Sequence, residues 1–85
     1  MPSPEFLLFQ RDDCHLCDLA LEVLADAGVP DFDSVFVDGD AQLEKQYGTR
    51  VPVWRDCVGG RELDWPFGVE ELRAFMGGEP VAGNR

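Results

Sequence analysis

The chain is 85 residues long, with seven Lys and Arg against seventeen Asp and Glu, a formal charge of −10 and 45% hydrophobic residues. That length supplies one hydrophobic core and excludes a second domain, and the negative balance opposes a phosphate backbone or an anionic membrane as partner. The longest apolar runs, Phe6-Leu7-Leu8-Phe9 and Val51-Pro52-Val53-Trp54, fall far short of the roughly 18 to 20 residues a membrane helix needs. The first residues lack the basic stretch and long apolar run of a signal peptide, so a cytoplasmic protein is expected. Three cysteines are too few, and odd in number, for a disulfide-stapled secreted scaffold, which points to cysteine as a chemical rather than a structural residue.

Residues 6 to 9 are aromatic and fully apolar, the pattern of a strand covered on both faces. Apolar residues then recur at Leu16, Leu19, Ala20, Val23, Leu24 and Ala27, the stripe of an amphipathic helix, with Asp13 predicted to cap it and Gly28 to end it. Phe32, Val35, Phe36 and Val37 form a second β-prone run, left through Asp38-Gly39-Asp40. A short helix is predicted from Ala41 to Tyr47, with Asp38 or Asp40 at its cap and Gly48 as its stop. Val51 to Arg55 and Arg61 to Asp64 flank Gly59-Gly60, a hairpin signal. Val69, Leu72, Phe75 and Met76 suit a closing helix, ended by Gly77-Gly78.

Cys14 and Cys17 are two residues apart and fall where the first strand gives way to the first helix. Free amide groups and the positive dipole end of a helix stabilise an anion there, which lowers the pKa of Cys14 below the roughly 8.5 of free cysteine. Cys14 is thereby the candidate nucleophile. Cys17, one turn further in, is the candidate resolving thiol, close enough to attack a mixed disulfide on Cys14. Metal binding and an inert pair remain as alternatives. A tetrahedral zinc site needs four ligands, and the chain has only Cys14, Cys17, Cys57 and His15, the last adjacent to Cys14. A protonated His15 lowers the pKa of Cys14, while Asp12, Asp13 and Asp18 act in the opposite sense. Cys57 reads as a small buried hydrophobe, or else as a thiol available for a mixed disulfide. The run Asp31, Asp33, Asp38 and Asp40 reads as a solvated face that can also select basic partners.

At these residues the chain resembles a known family. Cys14-His15-Leu16-Cys17 at the head of a helix, with the later Tyr47-Gly48-Thr49-Arg50-Val51-Pro52, resembles the thioredoxin-like fold. The short length resembles glutaredoxins, and the likeness covers about residues 5 to 76. Leu63-Asp64-Trp65-Pro66-Phe67 is similar to small bacterial glutaredoxin-like proteins of mostly unassigned role. The resemblance implies a cis Pro52 facing the cysteines, with Val51 offering backbone hydrogen bonds to a bound peptide or glutathione. It also places Arg11, three residues before Cys14, where glutaredoxins hold a glutathione carboxylate with a basic residue. Two departures stand out. Glutaredoxins commonly have Pro-Tyr between the cysteines, where this chain has His15-Leu16. They also have Gly-Gly and an acidic residue at the start of the last helix, where this chain has Trp65-Pro66-Phe67-Gly68-Val69. Trp65 and Phe67 are therefore candidates for an altered substrate surface.

The expected fold is α/β and thioredoxin-like, in the order β-α-β-α-β-β-α, a four-stranded mixed sheet with helices on both faces. One domain spans residues 1 to 78, and residues 79 to 85 are a flexible tail. The expected function is dithiol-disulfide exchange by Cys14 and Cys17 on a disulfide-containing protein or a glutathione mixed disulfide. Arg11, Val51, Pro52, Trp65 and Phe67 would bind substrate, and His15 and Asp13 would tune the pKa of Cys14. No metal or bound cofactor is expected, with glutathione at most a reducing co-substrate, and a monomer is expected. The rivals are a non-catalytic binding or redox-sensing module, and metal or iron-sulfur binding through the cysteine pair.

Overall fold

The structure is a computed structural model and describes residues 4–77. The expected tail at 79 to 85, and Gly78 before it, lie outside the described residues. Strand β1 (Phe6–Gln10), helix α1 (His15–Ala27), β2 (Asp33–Phe36), α2 (Ala41–Tyr47), β3 (Val53–Asp56), β4 (Arg61–Asp64) and α3 (Val69–Phe75) follow in the expected order. They form a mixed sheet of order β2-β1-β3-β4. β1 pairs with β2 in parallel, and with β3 antiparallel. β3 pairs with β4 antiparallel.

Side chains alternate across the sheet because the strand period is two. Phe6 and Leu8 of β1 share one face with Trp54, against Ala20 and Leu24 of α1, Leu72 of α3 and Phe67. Phe9 and Val53 take the other face, with Val37, Tyr47 and Leu43 of α2. Trp54 stacks on Phe6 at 5.2 Å between ring centroids and meets Phe32 edge-on at 5.1 Å. Tyr47 stacks on Phe9 at 3.9 Å. Helices thus cover both faces, and β1 and β3 are the central strands.

Three local expectations change. Asp13 does not cap α1: its own backbone is left-handed (φ 56°), so the next residue, Cys14, is the extended N-cap and its Sγ accepts the Cys17 N–H at 3.1 Å. β3 starts at Val53, two residues later than expected. Arg50 and Val51 still donate their N–H groups to Tyr47 O, at 2.8 and 3.0 Å, as the turn after α2, and Pro52 has no N–H to give a ladder. Leu16, placed on the apolar stripe by its spacing, is 46% exposed.

The register gathers the loops that matter. β1 and β2 end side by side (Gln10 opposite Phe36), β3 begins opposite the end of β1 (Val53 with Phe9), and β4 ends opposite Val53 at Asp64. Residues 11–14, 37–40, 49–52 and 65–68 therefore meet at one end of the sheet. Cys57 lies at the other end, where its N–H donates to Glu5 O at 2.8 Å, roughly 13 Å along the strand from Val53 at ~3.3 Å per residue.

Candidate functional site

Cys14 and Cys17 are joined by a disulfide, with Cα atoms 5.2 Å apart. Cys14 is half-buried and Cys17 is 1% exposed, so an attacking sulfur reaches Cys14 first. The helix places them so because Cys14, as N-cap, stands outside the first turn, while Cys17 falls on the buried face of α1 with Ala20 and Leu24. The amide that meets Cys14 Sγ is one of the free N–H groups every helix start carries, and it stabilises a thiolate at that atom.

An open cavity of about 460 Å³ borders Cys14, lined also by His15, Asp18 and Phe36, and by Arg11, Asp12 and Asp13 of the loop before the helix. Asp12, Asp13, His15 and Asp18 are all exposed. Phe36, the last residue of β2, is 45% exposed at the cavity wall. Asp38 Oδ1 accepts the Asp12 N–H at 2.9 Å and so holds this loop against the end of β2.

Arg11 lines the cavity, yet its guanidinium faces inward. It forms a two-pronged pair with Glu44 of α2, at 2.8 and 2.6 Å, and donates to Gly48 O at 2.9 Å. Asp38 stands 3.9 Å away. The Glu44 hydrogen bond raises the Arg11 pKa further above its ordinary range, and the same bond holds the Glu44 carboxyl below its own. Gly48 is required by this arrangement. A Cβ there would stand 2.6 Å from Glu44 Oε1 and 3.2 Å from Arg11, and would collide with the Glu44 carbonyl.

Arg50 is committed in the same way. It pairs with Asp64 at 3.0 and 2.8 Å and with Glu62 at 2.6 Å, and lies over the Tyr47 ring at 5.2 Å. Glu62 also accepts from Arg55 at 2.8 Å and from the Tyr47 hydroxyl at 2.6 Å. Burial pushes the Glu62 pKa up, but the hydrogen bonds from Tyr47, Arg50 and Arg55 outweigh it and hold the carboxyl below its ordinary range. Burial, and then the bond to Glu62, push the Tyr47 pKa up. This network ties α2, β3 and β4 to the turn that carries Val51 and Pro52.

The Val51-Pro52 peptide is cis, as is Trp65-Pro66, and Trp65 N–H donates to Pro52 O at 3.2 Å, linking the two loops. Of the residues expected to meet substrate, Val51 and Trp65 are half-buried at this end of the sheet, whereas Pro52 is fully buried. The Val51 N–H is already spent on Tyr47 O, which leaves its carbonyl. Phe67 belongs to the core: it is 4% exposed, within the cluster of Trp54 and Leu72, and meets Trp65 edge-on at 5.1 Å. Its place as a substrate surface is therefore corrected. The residues the sequence reading missed are Glu44, Glu62 and Tyr47, whose partners lie 33, 12 and 15 residues away.

Among the described residues, no group of three or more His, Cys, Asp or Glu side chains is arranged to hold a metal ion. No helix among them is long and apolar enough to cross a membrane.

The family described as Glutaredoxin-like domain (DUF836) matches residues 5–77. The X-ray structure of target protein XcR50 from X. campestris is 59% identical, with a TM-score of 0.81 over 88% of this chain and 99% of that one. The solution structure of XcR50 gives 58% identity and a TM-score of 0.80, over 92% and 99% of the two chains. Protein Ne2328 from Nitrosomonas europaea is 25% identical, with a TM-score of 0.64 over 88% of this chain and 94% of that one. No curated protein matches. The chain belongs to the glutaredoxin-like domain family, and that membership, with a cysteine pair at a helix start, supports a thiol-redox function in general terms.

Proposed function

We propose that this glutaredoxin-like chain is a thiol-disulfide oxidoreductase working by dithiol exchange through Cys14 and Cys17. The observation that carries the reading is the asymmetry of the pair: Cys14 is half-buried at the cavity with the Cys17 N–H on its sulfur, and Cys17 is buried behind it. In the dithiol state the Cys14 thiolate attacks a substrate disulfide; a Cys14–substrate bond forms, and the other substrate sulfur leaves with the electron pair and takes up a proton. The Cys17 thiolate then attacks Cys14 Sγ. The intramolecular disulfide forms, the second substrate sulfur leaves as a thiol, and the protein has given up two electrons. A thiol reductant, glutathione or the dithiol of a reductase, returns it to the starting state. The Val51 carbonyl and the half-buried Trp65 side chain, at the same end of the sheet as Cys14, would orient the substrate chain.

Trapping tests the reading. Reduced Cys17→Ser, mixed with a peptide disulfide, is expected to accumulate a peptide adduct on Cys14 visible by mass, and Cys14→Ser is expected to form none. If neither variant forms an adduct, exchange is ruled out and a redox-inert binding module takes its place.

A further inference from the structure

We infer that the cavity beside Cys14 selects cationic peptide disulfides, with Lys or Arg flanking the reactive cysteine, over glutathione and other anionic disulfides. The inference rests on the exchange reading above. The reactive atom and its cavity define the site; the charges around them define what enters. Two arginines lie at this end of the sheet, and each is already paired from within: Arg11 with Glu44 and the Gly48 carbonyl, Arg50 with Asp64 and Glu62. Neither guanidinium is left to receive a substrate carboxylate without breaking a two-pronged pair, which is the strong form of such a bond. Lys45 lines a different surface cavity, with Gln42 and Gln46.

The carboxylates of the wall are in the opposite condition. Asp12, Asp13 and Asp18 are exposed, border Cys14, and enter no ion pair among the described residues. Glutathione carries two carboxylates and one ammonium group, so it meets three carboxylates here against one basic side chain that is not already paired, His15, the lining's arginine being held by Glu44. A peptide with flanking ammonium or guanidinium groups meets three carboxylates, and its aliphatic stems have apolar surface to lie on at Phe36, 45% exposed in the cavity wall. A chain with a formal charge of −10 adds a long-range field of the same sign, which raises the encounter rate of cationic partners.

The test is a single turnover of the full chain, reduced beforehand so that its own dithiol supplies the two electrons. Three symmetrical peptide disulfides, identical except for Lys, Gln or Glu flanking the cysteine, serve as probes with oxidised glutathione. Each rate is divided by that probe's rate with dithiothreitol to remove intrinsic reactivity. The Lys probe is expected to react at least ~10-fold faster than the Glu probe and glutathione at low ionic strength. That ratio is expected to shrink to about 2-fold in 1 M salt, where the screening length is about 3 Å. Asp12→Asn/Asp13→Asn/Asp18→Asn lowers the ratio. Glu22→Gln/Asp26→Asn/Asp31→Asn makes the same change in net charge toward and beyond the far end of α1, and keeps it. Equal rates for Lys and Glu probes, or equal loss of preference in the two triple variants, overturn the inference and leave exchange standing. Failure of every probe, the Gln peptide included, removes exchange itself and this inference with it.

Discussion

At the hairpin end of the sheet, Asp56 accepts the Val58 and Gly59 N–H groups at 3.0 and 2.9 Å and faces Arg61 at 3.4 Å. Arg61 in turn donates to Phe75 O at 2.7 Å and lies over the Phe75 ring. Carboxylate and cation are both consumed in closing a turn and fastening it to α3. At the cysteine end the cations are consumed in the same way, by Glu44, Glu62 and Asp64, but Asp12, Asp13 and Asp18 are not. Each end also has a cysteine outside the main core: Cys57 stands alone and unpaired, half-buried beside a turn, while Cys14 has a partner sulfur, a helix amide and a cavity. A cysteine is common to both ends. What differs is whether the backbone around it offers an anion a place and a second sulfur a line of attack.

The sharpest way to break that comparison is to remove one sulfur at each end. Cys14→Ser is expected to lower the rate of peptide-disulfide reduction at least ~100-fold, because a hydroxyl cannot supply the thiolate. Cys57→Ser is expected to leave it unchanged. A stopped-flow comparison of the two variants checks both.

Next in size is Glu62, which accepts from Tyr47, Arg50 and Arg55 together. Glu62→Gln is expected to cost about 2–4 kcal/mol in urea unfolding, since two guanidinium groups lose a charged partner at a site only 19% exposed. The loss should also depend on pH. A carboxyl held below its ordinary value contributes stability that is present above its unfolded pKa of about 4.3 and lost as pH falls through the folded value. The gap between wild type and Glu62→Gln should therefore narrow below about pH 4.5 and stay constant from there to neutrality. Gly48→Ala comes third, at about 1–3 kcal/mol, because its Cβ must displace Glu44. The increased heat lability should come with a weaker Arg11–Glu44 pair, visible as altered Arg11 side-chain shifts by NMR.

The smallest effect is expected in the core shared by both ends. Trp54 is fully buried, and its Nε1 has no hydrogen-bond partner among the described residues. Trp54→Phe loses ring volume but also removes an unsatisfied donor, so a net change within about 1.5 kcal/mol is expected in the same urea assay.

The elements governed by short-range signals were legible in the sequence. Asp40 caps α2 through the Gln42 and Leu43 N–H groups, at 3.0 and 3.1 Å, and both bounds of that helix and of β4 fall where the sequence puts them. Gly28 ends α1 in the left-handed conformation (φ 68°), which glycine adopts without steric penalty. The cysteine pair was legible for the same reason, since its setting is a strand, a loop and a helix start in one stretch. The fate of Arg11 was not, because Glu44 is 33 residues away and nothing local distinguishes an arginine that waits for a ligand from one already paired. Asp13 misled because aspartate suits both an N-cap and a left-handed turn residue, and the structure uses it as the second. Phe67 misled because a loop aromatic was read from the position of its neighbours, while its ring reaches the core beside Trp54.

The central claim, that Cys14 and Cys17 form a reversible redox couple, is tested most directly by the mass of the alkylated protein after equilibration in glutathione buffers of graded potential. Wild type is expected to pass between dithiol and Cys14–Cys17 disulfide with a midpoint of roughly −200 to −270 mV, the span from glutaredoxins to thioredoxin. Absence of that disulfide at every potential, with Cys14 alkylated throughout, would contradict the account.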